Sequence, residues 1–298
     1  MTGASQRSPW RNWMEWMAVR VLLGVLRWTP KPLAMAVAAT GTRALDKFVP
    51  RLRRIGRINL SFAMPEKSPA ERERILDEVF RSIARILVVF ARFPGLNVNE
   101  WIHYDGLEHF EAAKRAGKGA LFYTAHLGNW ELSAFSHGVM TEPMGVVVRP
   151  LDNPLLDELA RRYRSLGGNE VIEKKDARPL LRLLKANRAV GILADQNAAP
   201  EEGVFVTFFG KAACAHTGFA RLAKHTQATV IPGYALWEER EQRYVLRFFP
   251  PLEMTGDEAE DTGRLHAHLE SVIRQYPGQW LWIHRRWKTR PAGEPSLY

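Results

Sequence analysis

From about residue 98 onward, short apolar runs alternate with longer segments in which apolar positions recur every three or four residues. Ala120-Leu121-Phe122-Tyr123-Thr124-Ala125 is too short for a helix, follows Lys118-Gly119 and stops on His126, so it predicts a strand. Gly128-Asn129 then supplies a turn and a helix N-cap, and a helix is expected from Asn129. The same reading gives strands at 101–104, 145–148, 171–172, 189–194, 230–236 and 244–249. Helices are expected over 107–116 and 154–166, after Asp176, and from Thr217. Such alternation predicts an α/β fold, a mostly parallel sheet flanked by helices.

Upstream the pattern changes. Ser68-Pro69-Ala70-Glu71 is a capping box with proline at the first helical position, and Ile75, Val79, Ile83, Leu87 and Phe90 recur at helical spacing until Pro94-Gly95. Residues 13–28 are rich in tryptophan and interrupted by Arg20, so they fall short of the roughly 20 apolar residues that span a bilayer. They predict an N-terminal membrane-associating helical segment lying among headgroups, with a helix packed on the domain or a tilted span as alternatives. Pro30-Lys31-Pro32 separates it from a second apolar stretch at 33–39, and no convincing signal-peptide cleavage site follows. The expected organisation is membrane-associating helices over 1–40, a basic helical connection over 41–97 and a catalytic domain over 98–298.

Charge narrows the partners. Among 298 residues, 42 Lys+Arg against 32 Asp+Glu give a net charge of +10, which calls for an anionic partner: nucleic acid, a phospholipid surface or an acidic protein. No RNA-recognition signature or zinc finger is present, so nucleic acid is not expected. Arg43, Lys47, Arg51, Arg53, Arg54 and Arg57 form either a solvated helix face or a surface for anionic headgroups. Cys214 is the only cysteine, which excludes an intramolecular disulfide and a cysteine-rich zinc site and fits a reducing compartment.

The candidate chemistry falls at predicted strand ends, where open α/β sheets bind ligands. His126 follows the first strand, and Glu131, five residues on, can fold back to orient its ring. That arrangement suits general-base removal of a proton from a substrate hydroxyl. The alternative is a buried histidine on a backbone carbonyl beside a solvated glutamate. Arg149 follows 146–148 and Asp195-Gln196 follows 190–194. Singly these read as a surface ion pair and a loop cap; together with His126 they favour one cleft. His126 and Glu131 as metal ligands would need further partners, and no His/Asp cluster has metal-ligand spacing, so no metal is expected.

In order along the chain stand Thr-Ala-His-Leu-Gly-Asn-Trp-Glu at 124–131, Arg149-Pro150 with Asn153-Pro154, and Ala194-Asp195-Gln196. The segment 204–210, Phe219-Ala220-Arg221-Leu222-Ala223 and Trp282-Ile283-His284-Arg285-Arg286-Trp287-Lys288 follow. This series resembles the bacterial lipid A late acyltransferases over nearly the whole chain, with the His-x4-Glu positions intact. The resemblance implies a membrane-bound enzyme on the cytoplasmic face of the bacterial inner membrane. Such an enzyme moves a fatty acyl group from acyl carrier protein to a hydroxyl of a lipid A precursor, without cofactor or acyl-enzyme. It further implies that His126 is the base and Glu131 its orienter, that Arg149 and Arg164 meet acceptor phosphates, that Gly128 and Asn129 let the backbone approach the reacting centre, and that Asp195 and Gln196 line the acceptor pocket. Relatives that acylate another glycolipid or aminolipid share much of the pattern. Outside the enzymes, the rival is a non-catalytic peripheral membrane-binding protein, which would not need His126 and Glu131 together.

Two later stretches have double readings. Residues 203–210 form either an acyl channel or a plain core strand. Trp280, Trp282 and Trp287, with Arg285, Arg286 and Lys288, either anchor the C-terminus at headgroups or pack a strand face.

Overall fold

The computed structural model describes residues 8–298, so residues 1–7 of the expected N-terminal segment lie outside the described residues. Four helices come first: α1 (Pro9–Trp28), α2 (Lys31–Phe48), α3 (Pro50–Ala63) and α4 (Pro69–Arg92). Then β1 (Ile102–Asp105), α5 (Leu107–Ala116), β2 (Ala120–Thr124), α6 (Trp130–Met140), β3 (Gly145–Val148), α7 (Pro154–Arg164), β4 (Glu170–Glu173), α8 (Ala177–Lys185) and β5 (Ala189–Leu193) alternate. A hairpin of β6 (Gly203–Phe208) and β7 (Lys211–His216) follows, then α9 (Gly218–Thr226), β8 (Thr229–Glu238), β9 (Arg243–Phe248) and α10 (Glu258–Gln275). The seven-stranded sheet has the order β1-β9-β8-β2-β5-β3-β4, parallel throughout except where β9 runs antiparallel to β8.

β2 sits at the sheet's centre and is covered on both faces, which is why its sequence is continuously apolar rather than alternating. Leu121, Tyr123 and Ala125 join one buried cluster with Phe219, Leu265 and Leu269, whereas Ala120 and Phe122 join the other with Phe110, Leu132 and Val89. Residues 203–210 are the β6 strand and its turn, with Phe208 and Phe209 in the core and Phe205 exposed. The double reading of the tryptophans resolves here. Trp280, Trp282 and Trp287 are at most 2% exposed, so they do not sit at headgroups. Their indole N–H groups donate to Asp195, the Pro277 carbonyl and the Phe208 carbonyl, which is what lets such rings be buried. α10, an element beyond those expected from the apolar pattern, begins where the Asp257 carboxylate caps the amides of Ala259 and Glu260.

α4 starts on the expected capping box and gathers the other N-terminal helices. Residue 41 lies inside α2. Arg53 and Arg57 hold Asp46, Glu73 and Asp77 within this layer, while Arg43, Lys47, Arg51 and Arg54 remain exposed. α1 is apolar on two sides. Leu23 and Leu26 face the core, and Trp10 (63% exposed), Trp13, Met14, Met17, Val21, Val25 and Trp28 (79%) face outward. Among the described residues no helix is long and apolar enough to cross a membrane.

Candidate active site

Strand register builds the site. β2 and β5 are parallel neighbours with Thr124 opposite Leu193, so two residues past each strand end His126 and Asp195 come side by side, about 4.8 Å of strand spacing apart. The His126 Nδ1–H donates to Asp195 Oδ1 at 2.8 Å, and the His126 backbone N–H donates to Oδ2 at 3.0 Å. Trp280 Nε1–H, at 2.9 Å, gives Oδ2 a second donor. With Nδ1 committed as donor to a carboxylate, Nε2 carries the lone pair in the neutral ring. That nitrogen lies on the open side, 3.4 Å from the amide of exposed Gln196.

The Asp195 side chain is only 3% exposed and that of His126 19%. Burial opposes ionisation of Asp195, yet the His126 charge and hydrogen bond, with the Trp280 and backbone donors, hold its carboxyl well below the usual range. Burial likewise works against the imidazolium of His126, and the charge and hydrogen bond of Asp195 outweigh it, so the ring's pKa lies above its ordinary value. Trp130 packs edge-on against the ring, centroids 5.0 Å apart.

Glu131, expected on the imidazole, is elsewhere. As the second residue of α6 it faces α7, where Arg164 Nε and Nη2 grip its two oxygens at 2.9 and 2.6 Å. His126 takes Asp195 as its orienter because the ladder delivers Asp195 beside Nδ1, whereas Glu131 has a charge-assisted bidentate partner on the neighbouring helix. Arg164, expected at a phosphate, therefore has part of its fork occupied. Arg149 is exposed just past β3.

Gly128 and Asn129, expected beside the reacting centre, are instead buried beneath it. Gly128 has φ +65°, and a Cβ there would stand 1.9 Å from the Ala235 carbonyl oxygen, so only glycine lets this turn close against β8. Asn129, fully buried, donates its N–H to that carbonyl at 2.8 Å and caps α6 through the Leu132 amide at 3.0 Å. The turn is also pinned from the C-terminal segment, since Leu281 N–H donates to the His126 carbonyl at 3.1 Å. Trp280 thus serves the site, a role missed in the sequence because its aromatic spacing suggested packing or anchoring alone.

Between the sheet and α6, on the face of β2 that carries Phe122 and Thr124, runs a narrow cavity of about 40 Å³ bounded by Phe122, Thr124, Trp130, His137, Met144 and Leu193. Thr124 and Trp130 bring it to the foot of His126. Among the described residues no group of three or more His, Cys, Asp or Glu side chains is placed to hold a metal ion.

Residues 2–289 match the family described as bacterial lipid A biosynthesis acyltransferase. The chain is 30% identical to the lipid A biosynthesis lauroyltransferase of Escherichia coli K12 over 97% of its own length and 95% of the relative's. It is also 30% identical to the palmitoleoyltransferase of that organism, over 97% and 95%, and 26% identical to its myristoyltransferase, over 97% and 91%.

Proposed function

Given that the chain belongs to the bacterial lipid A biosynthesis acyltransferases, and so is an acyltransferase acting toward lipid A, we propose that it moves a fatty acyl group from an acyl carrier protein thioester to a lipid A precursor hydroxyl. The observation that carries the mechanism is the 2.8 Å bond from His126 Nδ1 to Asp195, which leaves Nε2 open at the strand ends. Nε2 takes the proton of the acceptor hydroxyl as its oxygen attacks the thioester carbonyl. Asp195 stabilises the imidazolium that forms. The tetrahedral adduct collapses with cleavage of the C–S bond, and the imidazolium returns its proton to the departing thiolate. The chain supplies no nucleophile of its own, and no cofactor enters the step. Mass spectrometry of lipid A from cells with and without the protein tests this reading: one acyl group should be missing without it, and an unchanged lipid A would refute the reading.

Arg149, with the Nη1 of Arg164 left outside the Glu131 contact, meets acceptor phosphate, because guanidinium groups bind phosphate in a fixed fork. Arg149→Ala and Arg164→Ala should each raise KM for a phosphorylated acceptor by about tenfold, the equivalent of a 1.4 kcal/mol contact. An equal change with a dephosphorylated acceptor would sink this assignment.

The outward face of α1 rests on the cytoplasmic leaflet of the inner membrane, with Trp28 under Arg27 (4.9 Å) as an amphipathic anchor. Removing residues 1–40 would also strip Leu26 and Ala34 from the core, so the clean test alters outward positions only. Glutamate at Trp10, Val21 and Trp28 should shift the protein from the membrane to the supernatant fraction; unchanged sedimentation would exclude this face. The +10 charge favours the acidic carrier protein as donor. Transfer from it should slow as salt rises past about 0.1 M, where the Debye length is ~10 Å, while transfer from acyl-coenzyme A changes less. Identical salt profiles for both donors would argue against a docking surface.

A further inference from the structure

Arg286 is fully buried. Its Nη1 donates to the Cys214 carbonyl at 2.6 Å, its Nη2 to His266 Nε2 at 3.1 Å, and its guanidinium lies over the Phe208 ring, 5.5 Å from the centroid. His266 is neutral there. Its Nδ1–H donates to the Thr262 carbonyl at 2.9 Å, so Nε2 can only accept, and burial with the Arg286 charge pushes its pKa down to about 3. Nothing in hydrogen-bond contact with Arg286 therefore balances its charge, and a buried charge without compensation is costly.

The aromatic packing links Arg286 to a buried anion, Asp195. Trp280, which donates to Asp195, stands edge-on to Phe208 at 5.7 Å, the ring beneath Arg286. Tyr123, on β2 three residues before His126, packs against His266 with ring centroids 6.3 Å apart. We propose that Arg286 is the buried countercharge of Asp195 and a positioning residue for the His126 base. It keeps the carboxylate ionised in its apolar surroundings and offsets the carboxylate's pull toward a protonated imidazole, so that His126 stays a base near neutral pH. This rests on the reading of His126 and Asp195 as the catalytic pair. In support, burial lowers Arg286 to about 10, and the strongest influence in the other direction is the charge of Asp195.

The other groups bearing on His126 are Glu131 on α6, Arg164 on α7 and His284 on the C-terminal segment. Around Asp195 and Arg286 stand Tyr123 on β2, Tyr234 on β8, His266 on α10, Cys214 on β7 and Tyr298. Of these, Arg164 also lowers the His126 pKa but is ion-paired with Glu131, and the buried tyrosines are neutral, so Arg286 is the cation here that has no ion-pair partner among the described residues.

The test is the pH profile of kcat/KM for acyl transfer by the full chain. In Arg286→Met the acid limb should move up by about one pH unit, the order expected when one nearby opposite charge is lost. The plateau loss should be smaller than the loss near pH 6, and Arg286→Lys should return the limb toward wild type. A role in packing alone would lower the rate equally at every pH, and a folded Arg286→Met protein with an unmoved limb overturns the proposal. Should that variant not fold, His266→Glu decides. It leaves the guanidinium bonded but neutralises it locally, and the same upward shift is expected, with an unmoved limb counting against the proposal. Full activity of His126→Ala would instead bring down the catalytic reading itself, so the two failures are distinguishable.

Discussion

Replacing His126 with alanine is expected to lower turnover about 10²- to 10⁴-fold, the usual contribution of a positioned general base. The protein should stay folded, because the imidazole is part of the open strand-end cleft and its ring bonds only Asp195 firmly. Thermal melting and steady-state transfer on the same preparation check both halves. Near-normal transfer by the folded variant would remove His126 from the mechanism.

Asp195→Asn is expected to cost a comparable factor, up to about 10⁴, since an amide can hold the ring but cannot stabilise the imidazolium and can select the wrong tautomer. The sign of the pH effect is informative. Asp195 is the influence that raises the His126 pKa, so the acid limb of kcat/KM should move to lower pH in Asp195→Asn, opposite to the direction for loss of Arg286. Stability follows a separate linkage. The depressed Asp195 pKa contributes stability that is present above the ordinary aspartate range and lost as pH falls through that range toward the native value. The raised His126 pKa contributes stability that is present below the ordinary histidine value and lost as pH climbs through the raised one. The wild type should therefore lose more stability than Asp195→Asn on acidification, as denaturant melts at several pH values would reveal.

What the sequence disclosed and what it hid have the same physical origin. β2, its closing turn and α6 are local: an apolar run, a glycine that alone tolerates φ +65° against Ala235, and an asparagine cap. Such features are written in adjacent residues. The partner of His126 is not, because strand order is a property of the whole sheet. Glu131 is close in sequence and Asp195 is 69 residues away, yet the β2–β5 ladder sets Asp195 beside the ring while α7 draws Glu131 off through Arg164. The tryptophans near the C-terminus mislead in the same way, since only the fold shows that Trp280 reaches a buried carboxylate. α1 is apolar on its packed side and on its outward side, so its sequence marks a helix but not which side meets the core.

The most direct test of the account is a double-mutant cycle on kcat/KM for acyl transfer to a lipid A precursor, pairing His126→Ala with Asp195→Asn and, in parallel, with Glu131→Gln. Residues that act as one unit are non-additive. The double variant lacking His126 and Asp195 should be little worse than the worse single one, whereas the losses from His126 and Glu131 should multiply. Multiplying losses for His126 and Asp195, with non-additivity between His126 and Glu131 instead, would contradict the account.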